Sequence, residues 1–233
     1  MRRLPKILLG LIVLFFVSSI LSVVVLKWVP VYYTPLMFTR LIDQKSAGKE
    51  TKLSHQWVPL SDISENLPLA VIASEDQRFM EHSGFDLEQI NKAIEEAKAG
   101  KRQRGASTIS QQTAKNVFLW QGHSWIRKGL EAYFTVLIEL IWGKERIMEV
   151  YLNSIEMGDG IYGAQAVADE HFGKIPARLT RAEAATIAAT LPNPLKRDSS
   201  RPSPYVLKRR KQILRQMTLI PNPHFGTAPT ASR

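Results

Sequence analysis

The amino-acid sequence predicts a mostly α-helical protein with one N-terminal transmembrane helix. Two patterns predict this fold class: a long apolar segment without charges near the N-terminus, and a succession of helix-capping signals along the rest of the chain. The 233 residues have the size of one domain with a short appendage, and 45% of them are hydrophobic, enough to bury a core. The absence of cysteine excludes a disulfide scaffold, a thiolate metal site and a cysteine nucleophile.

The apolar segment, residues 7–26, predicts a membrane anchor that occupies residues 7–27. About 20 helical residues span the roughly 30 Å hydrocarbon layer of a bilayer. A cleaved signal peptide is the alternative, but its apolar region is usually about 7–15 residues long, and no small-x-small cleavage site follows here. Trp28, Tyr32 and Tyr33 come directly after the segment and predict an aromatic belt at the outer membrane interface.

The charge distribution predicts the orientation of this anchor. The formal net charge is +10, and the excess basic residues lie at residues 1–6 and 196–215. The first cluster predicts a cytoplasmic basic tail under the positive-inside rule, with the rest of the chain across the membrane. Nucleic acid is therefore not expected as a partner. The second cluster has eight Lys or Arg residues against Asp198, a pattern that is more often a solvated face than a binding site.

The rest of the chain divides into a membrane-proximal linker at residues 28–66, a helical domain at residues 67–220 and a flexible tail at residues 221–233. Residues 49–60 alternate loosely and could form a short strand or hairpin. Helix starts are marked by capping pairs such as Thr108 with Gln111. The predicted helices begin at Pro68 and run through residue 80, then cover residues 87–99, 109 onward, 125–142, 144–152, 162–172, 181–190 and 204–218.

The first candidate for chemistry is a carboxylate beside apolar residues. Glu75 and Asp76 follow the apolar run LAVIA, and Phe79 and Phe85 lie close by in the sequence. Desolvation by such neighbours raises the pKa of a carboxyl toward the working pH and makes it a usable general base. The alternative is an acidic residue that only lies near a helix end.

Two further clusters combine basic residues with helix starts. In residues 101–116, KRQRGASTISQQTAKN, a basic loop leads into a helix, which suits a phosphate; a solvated basic loop is the alternative. Gln112 and Lys115 are three residues apart and share one helical face. Arg127 and Glu131 are four residues apart, a spacing that by itself is more often a plain helix ion pair than a site.

Together these clusters resemble the peptidoglycan glycosyltransferase family over residues 67–195. Its five ordered motifs are similar to EDQRFMEHSGFD, GASTISQQTAKN, RKGLEAYFTVLIE, KERIMEVYLNSIEMGDGIYG and LTRAEAATIAATLPNP. The resemblance implies a lysozyme-like helical domain that polymerises lipid II by inverting glycosyl transfer and releases undecaprenyl pyrophosphate. It also implies a single-pass protein of the bacterial inner membrane, with its catalytic domain on the periplasmic side. The implied partners are lipid II, the growing glycan strand, the membrane and cell-wall synthesis or division proteins.

No transpeptidase activity is expected. Ser46 and Lys49 fit the Ser-x-x-Lys pattern of penicillin-binding enzymes, but they precede the glycosyltransferase motifs, and the sequence contains no Lys-Thr-Gly. The match is interpreted as chance.

The resemblance also implies roles for individual residues. Glu75 is the general base, and Glu131 is a second catalytic carboxylate that orients the donor, holds a divalent cation or positions Arg127. A list of expected substrate-binding residues follows: Ser107, Gln112, Lys115, His123 and Arg127. Several members of the family are helped by Mg²⁺ or Mn²⁺, but no metal-ligand spacing in this sequence requires one.

Two features leave alternatives open. His123 stands where many members of the family have an arginine, so this site works with less fixed charge or uses the histidine only when it is protonated. Phe118, Leu119, Trp120 and Trp125 either enter the membrane interface or pack in the core.

Two other functions are considered beside the polymerase: a lytic enzyme that uses Glu75 as an acid, and an inactive scaffold for wall synthesis.

Overall fold

The computed structural model describes residues 3–100, 105, 107–122 and 124–225 of the chain. Most of these residues are helical, which confirms the prediction of a mostly α-helical protein. The helices are α1 (Arg3–Leu26), α2 (Pro35–Ser46), α3 (Asn66–Glu75), α4 (Leu87–Lys98), α5 (Ile109–Phe118), α6 (Trp125–Ile141), α7 (Lys144–Ser154), α8 (Gly163–Phe172), α9 (Arg181–Thr190) and α10 (Pro204–Gln216). His123 and most of the tail predicted at residues 221–233 lie outside the described residues.

Helix α1 is long and apolar enough over Pro5–Leu26 to cross a membrane. It packs on α6 and is joined to it by a hydrogen bond of 2.7 Å between Ser19 Oγ and Tyr133 Oη. The Trp142 indole N–H donates to the Val23 carbonyl at 2.7 Å, and the Arg146 guanidinium donates to the Leu26 carbonyl. Side chains from the rest of the chain therefore satisfy carbonyls at the end of α1 that have no partner within the helix.

Residues 28–66, predicted as a linker, contain regular structure that packs on the domain. Leu36 and Met37 of α2 are buried with Tyr162, and the Arg40 Nε donates to Glu156 Oε2 at 3.1 Å. Only two residues of the predicted strand region are in a strand, β1 (Ser54–His55), which pairs in parallel with β3 (Ile161–Tyr162). Strand β2 (Glu156–Gly158) pairs antiparallel with β3 on the other side and was not predicted. Strands this short carry too few residues for an alternating pattern.

Helix α3 lies at the centre of the domain, and residues Leu67 to Ala73 are all buried. It packs on α9, and α10 packs on both, while α5 packs on α6 and α7. The predicted continuation of α3 through residue 80 is wrong, because the helix ends at Glu75. Asp76 leaves helical geometry at φ −159°, and its carboxylate accepts a hydrogen bond from the Ile109 N–H at 3.0 Å.

The capping signals give correct helix starts. Thr108 with Gln111 forms a reciprocal capping box at α5, and Thr180 with Glu183 does the same at α9. Ser124 caps α6 through its hydroxyl, which accepts from the Arg127 N–H. These contacts satisfy N–H groups that have no partner within their own helix, so local sequence fixes where the helices begin.

Candidate active site

A cavity of about 320 Å³ opens where α3 ends. Its walls come from the end of α3, the segment before α5, and α10. Glu75, Ser107 and Arg209 line it together with Thr108 and Gln216. Two residues expected from the sequence, Glu75 and Ser107, therefore face the same space.

The Glu75 carboxylate lies on the wall that α3 contributes. Its Oε1 accepts from the Ser74 hydroxyl at 3.1 Å, and its Oε2 accepts from the Gln112 amide at 3.3 Å. Burial raises the pKa of Glu75 above its usual value, while the hydrogen bonds from Ser74 and Gln112 and the charge of Arg209 act in the opposite direction. The net effect is a raised pKa, as the apolar run before Glu75 predicts. The Glu75 carboxylate therefore has an increased affinity for a proton.

Gln112 links Glu75 to a buried tyrosine. The Gln112 Oε1 accepts from the Tyr151 hydroxyl at 3.2 Å, so the amide nitrogen is directed at Glu75. Burial raises the pKa of Tyr151 well above its usual value, which keeps the hydroxyl protonated and able to donate. Tyr151 was not among the residues expected from the sequence; the available signal is a tyrosine within the similar segment KERIMEVYLNSIEMGDGIYG.

Asp76 fixes α3 relative to α5. Its buried carboxylate accepts from the Ile109 N–H in the first turn of α5, and His82 Nε2 lies 2.9 Å from Asp76 Oδ1. The Thr108 hydroxyl donates to the Gly84 carbonyl at 2.6 Å. Gly84 has φ +93°, and a Cβ there would lie 2.7 Å from Thr135 Cγ2, so a larger residue would displace this loop. These contacts fix Glu75 relative to the residues on α5.

A second group of charged residues, the cationic cluster, consists of Lys115, Arg127, Lys128 and Glu131. Arg127 Nη1 donates to Glu131 Oε2 at 2.9 Å, and Lys128 Nζ donates to Glu131 Oε1. Burial lowers the pKa of Lys115, the Glu131 charge raises it, and the charges of Arg127 and Lys128 lower it further. Three cations around one carboxylate leave an excess of positive charge that can bind an anion.

Helix α5 connects the cavity with the cationic cluster. Gln112 contacts Glu75, and Lys115 lies one helical turn further along α5. The expected residues thus form two neighbouring groups: Glu75 with Gln112 and Ser107, and Lys115 with Arg127 and Glu131. His123 lies outside the described residues.

Glu131 is the carboxylate for which a divalent cation was one of the expected alternatives. Among the described residues, no group of three His, Cys, Asp or Glu side chains could hold a metal ion. Both carboxylate oxygens of Glu131 accept hydrogen bonds from cationic side chains. Glu131 therefore holds Arg127 and Lys128 in place, as expected if it positions Arg127.

Four apolar residues lie where α5 ends and α6 begins, and they form two pairs: Phe118 with Leu119, and Trp120 with Trp125. Leu119 is buried, and the Phe118 ring stacks on Phe134 with ring centroids 4.4 Å apart. Trp120 is 48% exposed and Trp125 is 92% exposed. The first pair packs in the core, and the second presents aromatic surface beside the cationic cluster.

Comparison with known proteins shows the family. A model of the family described as Transglycosylase matches residues 43–218. The chain is 59% identical over 212 residues to a biosynthetic peptidoglycan transglycosylase of Bacteroides thetaiotaomicron, covering 91% of this chain and 86% of that protein. It is 50% identical over 233 residues to the protein of the same name from Pseudomonas entomophila, covering 100% of this chain and 97% of that protein. The chain therefore belongs to the transglycosylase family, which also confirms the expected lysozyme-like helical domain.

Proposed function

We propose that this protein is a peptidoglycan glycosyltransferase that polymerises lipid II into glycan strands. The observation that supports it most is the position of Glu75, a carboxylate whose pKa is raised by burial. Glu75 contacts Gln112 of α5, and the half-buried cation Lys115 lies one helical turn further along that helix. Polymerisation of lipid II needs these two groups, a base for the attacking hydroxyl and positive charge for the departing pyrophosphate. The names of the similar proteins support the same activity.

In the proposed reaction, Glu75 is the general base. The 4-hydroxyl oxygen of the acceptor sugar attacks the anomeric carbon of the donor, and its proton passes to the Glu75 carboxylate. The bond from the anomeric carbon to the pyrophosphate oxygen breaks, its electron pair leaves with undecaprenyl pyrophosphate, and the configuration inverts from α to β. The raised pKa of Glu75 favours proton acceptance, and Gln112 keeps the carboxylate oriented.

The cationic cluster acts on the leaving group. A pyrophosphate leaves readily once its charge is screened, so a protonating acid is less necessary than in glycoside hydrolysis. Lys115 and Arg127 bind the donor pyrophosphate together with Ser107. Glu131 acts as a positioning residue, because its two oxygens hold Arg127 and Lys128 in place.

The membrane anchor fits a lipid-linked substrate, which cannot leave the bilayer surface. We propose that α1 spans the bacterial inner membrane with residues 1–6 in the cytoplasm, so that the catalytic domain faces the periplasm. The exposed Trp120 and Trp125 then lie at the interface where tryptophan is favoured. The growing glycan strand and cell-wall synthesis or division proteins are the proposed partners.

One assay separates this function from the two alternatives. The full-length protein in detergent is incubated with labelled lipid II, and in parallel with preformed glycan, and the products are separated on a gel. Polymer growth that is lost in Glu75→Gln supports the polymerase. Cleavage of preformed glycan would identify a lytic enzyme, and no reaction with either substrate would identify a scaffold.

A further inference from the structure

Two arginines and a tyrosine form a basic surface, the α10 track, that leads away from the cavity. The α10 track consists of Arg197, Tyr205 and Arg209. Arg209 lines the cavity, and Tyr205 lies one helical turn earlier on the same side of α10. The Arg197 guanidinium lies over the Tyr205 ring, 4.7 Å from its centroid, and Tyr205 is 56% exposed. The track therefore extends the wall of the active-site cavity along the surface.

Both guanidinium groups of the α10 track are held by neutral acceptors, and the charge of Arg209 acts on Glu75 from beyond ion-pair distance. Arg209 donates to Gln212 Oε1 at 3.3 Å and to the Ser74 carbonyl at 3.4 Å, and Arg197 donates to the Ala189 carbonyl at 3.5 Å. Within the part of the chain that the structure describes, neither forms an ion pair. Both are half-buried, whereas the buried Arg127 is paired with Glu131. Arginines that form no ion pair of their own suit an anion from outside the protein.

The position of the α10 track indicates which part of the substrate reaches it. Helix α10 packs on α9 and α3, whereas the anchor α1 packs on α6, whose first turn carries Arg127. The track is thus on the side of Glu75 away from Lys115 and Arg127, the two cations proposed for the donor pyrophosphate, while Ser107 lines the cavity between them. Besides its pyrophosphate, lipid II has anionic carboxylates on its peptide, and this peptide is attached to the sugar part of the molecule rather than to the lipid.

We propose that the α10 track binds carboxylates of the peptide carried by the acceptor lipid II, an inference that rests on the proposed function. Arg209 contacts the acceptor beside Glu75, and Arg197 binds a carboxylate further along the peptide.

The test compares two forms of lipid II on the full-length protein in detergent. One form has free peptide carboxylates, and the other has the same peptide with its carboxyl groups amidated. Arg197→Gln removes a charge that does not line the cavity, and Lys211→Gln removes the same charge from an exposed position of α10. Lys211 is two residues after Arg209, about 200° further around the helix, so it is the matched control.

We expect wild type and Lys211→Gln to have a lower KM for the carboxylate form than for the amidated form. Arg197→Gln should raise the KM for the carboxylate form about threefold to tenfold, the range for a partly exposed charge-assisted hydrogen bond, without changing kcat. Its KM for the amidated form should stay at the wild-type value. Arg197→Lys, which retains the charge, should recover part of the loss, and equal unfolding temperatures would exclude a folding effect.

Several outcomes would overturn the proposal. Equal losses of Arg197→Gln on both forms would assign the anion to the phosphates that both forms share. A wild-type protein that polymerises both forms with the same KM would contradict the carboxylate subsite alone, and this comparison requires no variant. A wild-type protein that polymerises neither form would overturn the proposed function, and this inference with it.

Discussion

The Gln112 amide donates to the Glu75 carboxylate at 3.3 Å and accepts from the Tyr151 hydroxyl at 3.2 Å. A neutral donor thus orients Glu75 without the full positive charge of a direct ion pair, which would lower the carboxyl pKa further. Glu131 has the opposite environment, because both of its oxygens accept from cations. The two carboxylates therefore suit different tasks: Glu75 accepts a proton, and Glu131 positions charged side chains.

The first prediction concerns the base. Glu75→Gln should retain the fold and the binding of lipid II but lose about 10²- to 10⁴-fold in turnover, the usual effect of removing a general base. The amide preserves the shape of the side chain and removes its ability to accept the proton. Turnover within threefold of wild type, measured with labelled lipid II, would exclude Glu75 from this role.

The same variant should show a pH-dependent gain in stability. Burial raises the pKa of folded Glu75 above the 4.5 of an exposed glutamate, so the folded protein loses stability as the pH rises above that value. Glu75→Gln should therefore unfold at a higher temperature than wild type at pH ~7.5, with the difference shrinking toward pH ~4. Thermal unfolding in detergent at both pH values measures this.

Glu88→Gln is the control of opposite sign. The Lys92 hydrogen bond and the charge of Arg78 lower the pKa of the exposed Glu88 carboxyl, so this carboxylate stabilises the fold above the pKa of the unfolded chain. Glu88→Gln should be less stable than wild type at neutral pH. If Glu75→Gln were instead less stable than wild type at neutral pH, burial would not dominate the environment of Glu75.

A third prediction tests the cation on α5. Lys115→Ala should lower kcat/KM for lipid II by roughly tenfold to 100-fold, the range expected when a hydrogen bond to a charged group is lost. It should also weaken inhibition by a phosphoglycolipid of the moenomycin type, if the phosphate of that inhibitor occupies the proposed pyrophosphate site. Lys92→Ala, in an exposed pair with Glu88, is the control. Unchanged inhibitor affinity in Lys115→Ala would show that Lys115 does not face the donor phosphate.

The fourth prediction separates the structural and functional roles of the Arg127–Glu131 pair. Glu131→Leu leaves the buried Arg127 without a carboxylate. This should lower the free energy of unfolding by about 3–5 kcal/mol and the unfolding temperature by roughly 6–20 °C. The double variant Arg127→Met with Glu131→Leu should recover most of this stability but stay inactive, because Arg127 is proposed to bind the donor. Recovery of activity in the double variant would reduce the pair to a structural role.

The sequence predicted the parts of this structure that depend on local patterns. Capping pairs such as Thr180 with Glu183 located helix starts because the interacting groups are three residues apart. Long-range contacts were not predictable in this way. The end of α3 at Glu75 depends on the contact of Asp76 with Ile109, and the contribution of Arg209 to the cavity depends on the packing of α10 beside α3. Neither leaves a periodic signal in the sequence.

The last prediction concerns His123, which lies outside the described residues and is expected from the sequence among the substrate-binding residues. An unperturbed histidine titrates near pH ~6.5, and a neighbouring pyrophosphate would stabilise its charged form, whereas an arginine stays charged. If His123 belongs to the pyrophosphate site, His123→Arg should gain activity relative to wild type as the pH rises from about 6 to 8.5, because the histidine loses its proton in that range. The measurement is the ratio of the two rates, in which the titrations of Glu75 and of the substrate divide out. A flat ratio would place His123 outside the charge network of the site.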